Sequence, residues 1–469
     1  DINSNGLDDD VTGIILEGAH ETINLTNVSV GQAVSTLQAI ERLGSGVRIF
    51  DSSFDNIGRT LIGSNNRDIL SGFGGNDTFI MGGGNDTLSG GAGNDTFQIN
   101  AATDISEGTD FSGGDGTDTL LVNSTDITTL SFPGRLTTFF TTETFDVRGG
   151  SDGGVTVSIP ADRLGSFSTI IGDGTSDSLN LFSDGDFDLR GDTLTGFETI
   201  NLTRVVGSDP FNPSQTFQRI HIDSGTTITG LTTITGSVDP NGNPDDSIQL
   251  NGNRDVSGGT FLRLDEFFLL DGSDARQTLS ANSTTSFGAM EIRGFTVGSA
   301  DTTDVFDYKS GLVSGSGTPE TASADFGLTV IDSSVIASSG VNVIRNDTNG
   351  VIEFETSELI SFDTGNDLDF TGSDTTNILA DIITAVQAIL LSTDASANLT
   401  GGSRAVASGS NGTDALMIFY ESSSSNSDAV IIRYQEDATA DPAFDSDELS
   451  VFAIFENVGS GNFDTANII

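Results

Sequence analysis

The feature that most constrains this chain is a nine-residue period between Gly63 and Gln98. Written in nines, the segment reads GSNNRDILS, GFGGNDTFI, MGGGNDTLS and GGAGNDTFQ. Asp68, Asp77, Asp86 and Asp95 recur without a slip, and so do the apolar residues Leu70, Phe79, Leu88 and Phe97. The last repeat satisfies G-G-x-G-x-D-x-U-x, with U a large apolar residue, at every specified position. Gly113–Leu121, GGDGTDTLL, satisfies it again and adds Asp118. Six glycine-rich residues can turn with their carbonyls inward, because glycine accepts backbone angles closed to other residues. Three residues then form a short strand whose central side chain enters a core. Two nines make one coil, so Asp68 is expected over Asp86 and Asp77 over Asp95. Stacked carboxylates with turn carbonyls make an oxygen cage suited to Ca²⁺ rather than to zinc.

These residues resemble the repeats-in-toxin (RTX) family of secreted bacterial proteins. The resemblance implies a parallel β-roll that is disordered without calcium and folds after export. Carried onto this chain, it implies side-chain ligands at Asp68, Asp77, Asp86, Asp95 and Asp118. It implies turn carbonyl ligands at positions such as Gly72, Gly74, Asn76, Gly90 and Asn94. Two departures mark the outer turns: Gly63-Ser64-Asn65-Asn66 is poor in glycine, and Met81 replaces the first glycine of its repeat. The close match covers under a tenth of the chain.

Composition agrees with a turn-rich, all-β chain. Among 469 residues are 58 Gly and 31 Phe, and 35% are hydrophobic, which leaves ample material for a core. Eighteen Lys+Arg against 68 Asp+Glu give a net charge of −50, which excludes a general binder of nucleic acid or anionic membrane. Cation sites and a salt-adapted surface both fit that acidity. The absence of Cys excludes disulfide scaffolds, thiol catalysis and cysteine zinc sites, and the two His, His20 and His221, exclude a multi-histidine metalloenzyme. No segment has the length of an apolar membrane span, and Asp1-Ile2-Asn3-Ser4 does not open a secretory signal.

Four regions are expected. Residues 1–60 read as a strand–helix–strand cap, with a helix over Ser29–Leu43 from the spacing of Val30, Val34, Leu37, Ile40 and Leu43 and a strand over Val47–Ser52. Residues 61–125 are the β-roll. Residues 126–310 read as a β-solenoid from loose copies at Leu164–Ile170, Leu194–Ile200 and Ile228–Ile234, an antiparallel sandwich being the alternative. Proline-marked loops at 209–213 and 239–244 are expected to project from it. Residues 311–469 begin with a Ser/Gly/Thr linker and continue with a helix over Ile378–Leu391. Strands are expected there at Ala415–Tyr420, Ala429–Tyr434 and Leu449–Phe455. The Asp-rich, lysine-free end closing on Ile468-Ile469 looks like a type I secretion signal.

No catalytic constellation is present: there is no Gly-x-Ser-x-Gly elbow, His-Glu-x-x-His helix or phosphate loop. Arg190-Gly191-Asp192 spells an adhesion tripeptide but falls where a turn is expected. The expectation is a non-enzymatic, calcium-dependent structural protein, secreted to the exterior or surface of a Gram-negative-type bacterium, whose partner is itself in a layer or filament. The alternatives are an adhesin or matrix protein binding a cell-surface glycan, and the non-catalytic portion of an RTX toxin or enzyme.

Overall fold

The computed structural model describes residues 56–132, 138–182, 186–203, 218–223 and 225–237 in long stretches, with shorter segments between 13 and 50 and between 246 and 467. Two compact units divide the chain, the first formed by residues 1–216 and 225–231, the second by 217–224 and 232–469.

The first unit is a parallel β-solenoid. One ten-stranded sheet runs through Gly13–Gly18, Thr36–Glu41, Thr60–Ile62, Thr78–Ile80, Thr96–Ile99, Thr119–Val122, Thr144–Asp146, Thr169–Ile171, Thr193–Thr195 and Thr227–Thr229. Its register puts Thr60, Thr78, Thr96, Thr119, Thr144, Thr169, Thr193 and Thr227 in one row. The next row holds Leu61, Phe79, Phe97, Leu120, Phe145, Ile170 and Leu194, all buried. A strand this short works because its outer residues, Thr60 and Ile62 or Thr78 and Ile80, are half-covered and β-branched, and its middle residue alone enters the core. The second row also carries aromatic packing: Phe79 stacks on Phe97 at 4.8 Å, and Phe97 meets Phe111 of the facing strand edge-on at 5.8 Å.

That facing sheet comprises Thr22–Asn24, Arg48–Phe50, Ile69–Gly74, Thr87–Ala92, Asp110–Asp115 and Thr138–Phe140. A third parallel set, Thr129–Ser131, Thr156–Pro160, Ser178–Phe182 and Thr199–Thr203, takes over beyond the glycine repeats. The pairing of Thr193-Leu194-Thr195 with Thr227-Ile228-Thr229 is that of the two sequence copies 34 residues apart. All these ladders are parallel, so the sandwich alternative fails for this unit.

One expectation is corrected. Within the predicted helix Ser29–Leu43, residues Thr36–Glu41 form a strand, paired in parallel with Gly13–Gly18 and Thr60–Ile62. The pairing brings Thr36-Leu37 level with Thr60-Leu61 and so makes it another copy of the threonine–apolar rung. Sheet pairing overrides the helical spacing of the apolar residues. The remainder of that segment lies outside the described residues, as do the proline-marked loops and the 311–325 linker. The expected strand after it is present as Arg48–Phe50.

In the second unit the strands Arg219–Asp223, Asp246–Asn251, Leu264–Leu269 and Glu291–Arg293 pair in parallel. Glu291–Arg293 then pairs with Leu449–Phe455, which continues antiparallel into Ala429–Gln435 and Asp414–Tyr420. Gly350–Glu358 and Leu328–Ile331 complete that sheet in parallel. The three predicted strands are present within one residue, and the predicted helix spans Ile378–Leu391 with Ile382, Ala385 and Val386 buried. Phe455 packs against Phe295, Phe306 and Phe463 at 4.8–5.6 Å. Near the end of the chain Asn467 is fully buried, with its Nδ2 donating to the Asp304 carbonyl and its Oδ1 accepting from Gly298 N. No helix among the described residues is long and apolar enough to cross a membrane.

Candidate metal centre

The stacking expected from the nines is present. Asp68 N donates to Asp86 Oδ1 at 2.8 Å, and Asp77 N to Asp95 Oδ1 at 2.7 Å, each across 18 residues. The second of these columns is longer than the sequence pattern showed. It starts with Arg59 N on Asp77 Oδ1, continues with Asp95 N on Asp118 Oδ1, and ends with Asp118 N on Glu143 Oε2. Arg59, 2% exposed, thus stands at the aspartate place one coil before Asp77. Asp77, Asp86, Asp95 and Asp118 each hold the coil before them through one oxygen, so these four are a structural ladder whatever else they bind.

Their second oxygens divide them. Asp68 Oδ2 accepts Ser64 N at 2.6 Å, from four residues earlier. Asp86, Asp95 and Asp118 bury Oδ2 with no hydrogen-bond partner. Four residues before these three stand Gly82, Gly91 and Gly114, all in the left-handed region with φ between +86° and +116°. Gly114 gives its N–H to Thr141 Oγ1 instead of to the carboxylate. At the corresponding place before Asp77 sits Phe73, with φ +68° and 45% exposure.

Gly72 and Gly90 complete the geometry. A Cβ on Gly90 would overlap both Asp95 Oδ2 and the carbonyl oxygen of Gly113, and one on Gly72 would overlap Asp77 Oδ2 with the Gly90 carbonyl 3.0 Å away. In these two turns a carboxylate oxygen and the carbonyl of the next coil therefore lie against one small volume that glycine leaves open, whereas Met81 stands at the corresponding place before Asp86. Asn76 and Asn94 form a second ladder on the exposed side: Asn94 N donates to Asn76 Oδ1, and Thr117 N to Asn94 Oδ1. The Asn76 carbonyl packs against Gly58, and Gly74 lies beside Asn56 Oδ1.

A buried carboxylate oxygen without a donor needs a proton or a cation. Burial raises the Asp86 pKa to about 8, helped by the charges of Asp68 and Asp104, against the opposing hydrogen bond from Asp68 N. Burial likewise raises Asp95 to about 6, with Asp118 adding to it, and raises Asp118, with Glu143 adding. Among the described residues no three carboxylate or imidazole groups gather as one metal site. A cation in these turns would be held by one carboxylate per turn and by backbone oxygens, a donor set that fits a hard ion.

On the Asp86 side an insertion closes the next turn. Residues 100–109 lengthen the coil, and Ser106 Oγ and Thr109 Oγ1 both donate to the Gly84 carbonyl. Asp104 is buried there, its Oδ2 accepting Asn100 N and Ala101 N.

Several ladder residues escaped the nine-residue frame. Asp177 Oδ1 accepts Val155 N at 2.7 Å and its Oδ2 accepts Asp173 N at 2.8 Å, while Asp177 N donates to Glu198 Oε2. In the second unit, Asp246 accepts Gln218 N and Ser237 N, and Asp304 accepts Gln277 N and Thr296 N. A shorter signal finds them: an acidic residue or amide, then commonly Thr or Ser, then an apolar residue. Glu143-Thr144-Phe145, Asp177-Ser178-Leu179, Glu198-Thr199-Ile200 and Asp246-Ser247-Ile248 follow it. Arg190-Gly191-Asp192 forms the expected turn, with Gly191 at φ +80° and Arg190 paired with Asp188. No family model, curated protein or solved structure matches the chain.

Proposed function

We propose that this is a secreted, RTX-like structural protein that takes up calcium as it folds and assembles with copies of itself at a bacterial surface. The carrying observation is the row of buried carboxylates whose second oxygen has no donor and faces a backbone carbonyl, at Asp95 and Asp118, with Asp86 orphaned alike. Sites of extracellular modules bind Ca²⁺ with Kd of roughly 10⁻⁴–10⁻³ M. At free calcium ~100-fold above Kd, each site adds about 2.7 kcal/mol to folding, so a few such sites rival the stability of a whole domain. At cytoplasmic calcium that term vanishes and the desolvated carboxylates oppose the fold, which suits a protein that crosses a secretion channel unfolded.

Assembly draws support from the sheets. Among the described residues, Gly13–Gly18 and Leu328–Ile331 are terminal in their sheets, and an end strand offers a row of backbone donors and acceptors to another chain. Like charge opposes association, but screening acts over about 8 Å at ~0.15 M ionic strength, and bound calcium reduces the charge. The test is light scattering with electron microscopy at millimolar calcium, on wild type and on a paired Asp86→Ala, Asp95→Ala variant. Arrays or filaments of wild type, absent in the variant, are expected. A wild type that stays monomeric at every calcium and protein concentration overturns the assembly reading, and a variant that polymerises equally well overturns calcium as its switch.

A further inference from the structure

The ten-stranded sheet of the first unit presents two rows of side chains outward, because side chains alternate along each strand. One is the threonine row. It holds from Thr60 to Thr227, although the separation grows from 18 residues between Thr60 and Thr78 to 34 between Thr193 and Thr227. The other row lies two residues on. It is mainly aliphatic, with Ile62, Ile80, Leu121 and Ile171 all partly exposed, and turns to threonine at Thr195 and Thr229. Asp146 is the one charged member of either row between Thr60 and Thr229. It is 7% exposed, and Arg148 matches its charge at 2.6 Å. The chain as a whole carries a net charge of −50, so an aliphatic stripe with no net charge runs down one face of a strongly acidic molecule. The sheet of Thr129–Ser131 to Thr199–Thr203 differs. Its corresponding row, Ser131, Ser158, Asn180 and Asn201, is polar and pairs with itself, Asn201 Nδ2 donating to Asn180 Oδ1 at 2.9 Å.

We propose that this face is a lateral contact between copies of the chain, two such sheets packing flat against each other with their aliphatic rows meeting. The inference rests on the self-assembly reading and adds a second surface to the strand ends. Charge favours a copy here. Two chains of like charge approach most closely where neither presents it, and an aliphatic row gains by leaving water. The repeat favours a copy too. Strands recur every ~4.8 Å in both partners, so rows that meet at one rung stay in step at every other. The β-branched side chains have few rotamers and lose little freedom on contact. Size sets what the contact can do. Eight rungs make a strip roughly 34 Å long and on the order of 10 Å wide. Its area of roughly 350 Å² per copy is less than half of the ~800 Å² per partner in a stable two-body interface. The contact therefore suits a layer or bundle, in which each copy makes it alongside others, and not an isolated dimer.

The chain has no Cys, so a single introduced thiol reports on one place. In full-length protein at millimolar calcium, Leu121→Cys, near the middle of the strip, is expected to cross-link between chains with a short bismaleimide as light scattering rises. Ser158→Cys, on the polar sheet, is expected not to. A Leu121→Glu, Ile171→Glu variant brings like charges together and is expected to need more than about tenfold higher protein concentration to assemble. Mixing it with a Leu121→Arg, Ile171→Arg variant is expected to restore the wild-type threshold, which a merely misfolded variant would not do. Both side chains point away from the core, so the circular dichroism of the variants should match wild type. If they fold poorly, the cross-link decides. A wild type that assembles with no Leu121→Cys cross-link, or a glutamate variant that assembles equally well, overturns this face and leaves the assembly reading standing. A wild type that stays monomeric at every concentration overturns both. A monomer retained on an insoluble neutral polysaccharide, and released by the glutamate substitutions, overturns the second copy as the occupant and gives the face to that partner.

Discussion

The turn ending at Asp95 and the turn ending at Asp177 are close to duplicates. Each aspartate is buried, and each accepts a backbone N–H from the coil before it at 2.7 Å. Each has its Oδ2 against a glycine, Gly90 or Gly172, and that glycine faces the carbonyl of Gly113 or Gly196 in the following coil. They differ at the residue four places earlier. Asp173 gives its N–H to Asp177 Oδ2, whereas Gly91, in the left-handed region, leaves Asp95 Oδ2 without a donor. In this pair the residue four places earlier separates a carboxylate closed by its own chain from one whose second oxygen has no donor. Asp246 and Asp304 in the second unit are closed as well, with both oxygens accepting backbone N–H groups, the second from Ser237 and Thr296, nine and eight residues earlier.

The largest expected effect follows from chelation. With EDTA at pH 7.5, amide protection across residues 72–118 should collapse, while protection of the rungs at Asp246 and Asp304 should hold. Two or three sites at ~100 Kd correspond to about 5–8 kcal/mol lost from the glycine turns. Uniform loss across both sets, or none in either, would break the distinction between open and closed carboxylates.

Next in size is the exchange of single aspartates for asparagine. In calcium, Asp95→Asn should cost about 2–3 kcal/mol, the worth of one site. In EDTA its sign should reverse, because a desolvated charge is removed while the acceptor for Asp77 N–H is kept. Asp177→Asn should destabilise in both conditions by about 1–3 kcal/mol, since an amide cannot accept at both positions and its NH₂ is set against an N–H. Thermal midpoints of the two variants, with and without calcium, decide it. Parallel behaviour of the pair would show that the residue four places earlier does not matter.

Much of this is legible in the sequence. The nine-residue frame, the stacking of Asp68 on Asp86 and of Asp77 on Asp95, and the parallel coils follow from glycine, aspartate and apolar residues at fixed spacing, each with one physical job. Legibility fell where the spacing loosened. Glu143 and Asp177 hold rungs of the same kind, but coils of 23 and 25 residues break the frame. Arg59, in frame 18 residues before Asp77, was hidden by chemistry alone, since a cation stands where the pattern asks for an anion. Thr36–Glu41 read as helix because Leu37 and Ile40 are three apart, and only the pairing of Leu37 with Leu61 shows the rung. The division between open and closed oxygens was not legible at all. It depends on whether a backbone N–H reaches the second oxygen, from four residues earlier at Asp177 but from nine and eight residues earlier at Asp246 and Asp304, and Phe73 and Thr141 adopt left-handed angles that their side chains oppose.

A smaller effect tests whether a buried carboxylate without a donor responds to calcium when it lies on a strand and not in a glycine turn. Glu291, in the second unit, buries Oε1 without a partner, but on a strand and beside Arg293. Burial raises its pKa to about 8, the charge of Asp428 adds to the rise, and Arg293 opposes it. The sign follows from linkage: protonation in the folded state contributes stability that is complete below about pH 4 and is lost as pH rises through 8. Exchange protection of residues 291–293 should therefore fall between pH 5 and pH 9, with or without calcium. Glu291→Gln should flatten that dependence. Calcium restoring protection at pH 9 would show that a strand can make the site as well as a turn.

The smallest effect concerns the aromatic residue in a glycine place. Phe73 is level with Gly91 and sits four before Asp77, where Gly91 and Gly114 serve the later turns. A left-handed conformation costs a residue with a Cβ roughly 1–2 kcal/mol. At 45% exposure, Phe73 recovers only part of that by burial. Glycine relieves the strain, but brings its own entropic cost of roughly 0.5–1 kcal/mol. Phe73→Gly should therefore stabilise the roll by no more than about 1 kcal/mol, and by the same amount in calcium and in EDTA, because the carbonyl path of the turn is already that of a glycine. Denaturant midpoints in the two conditions measure it. A gain confined to calcium would mean that the phenyl ring restricts the ion's place beside Asp77, and a loss in both would mean that its packing outweighs the strain.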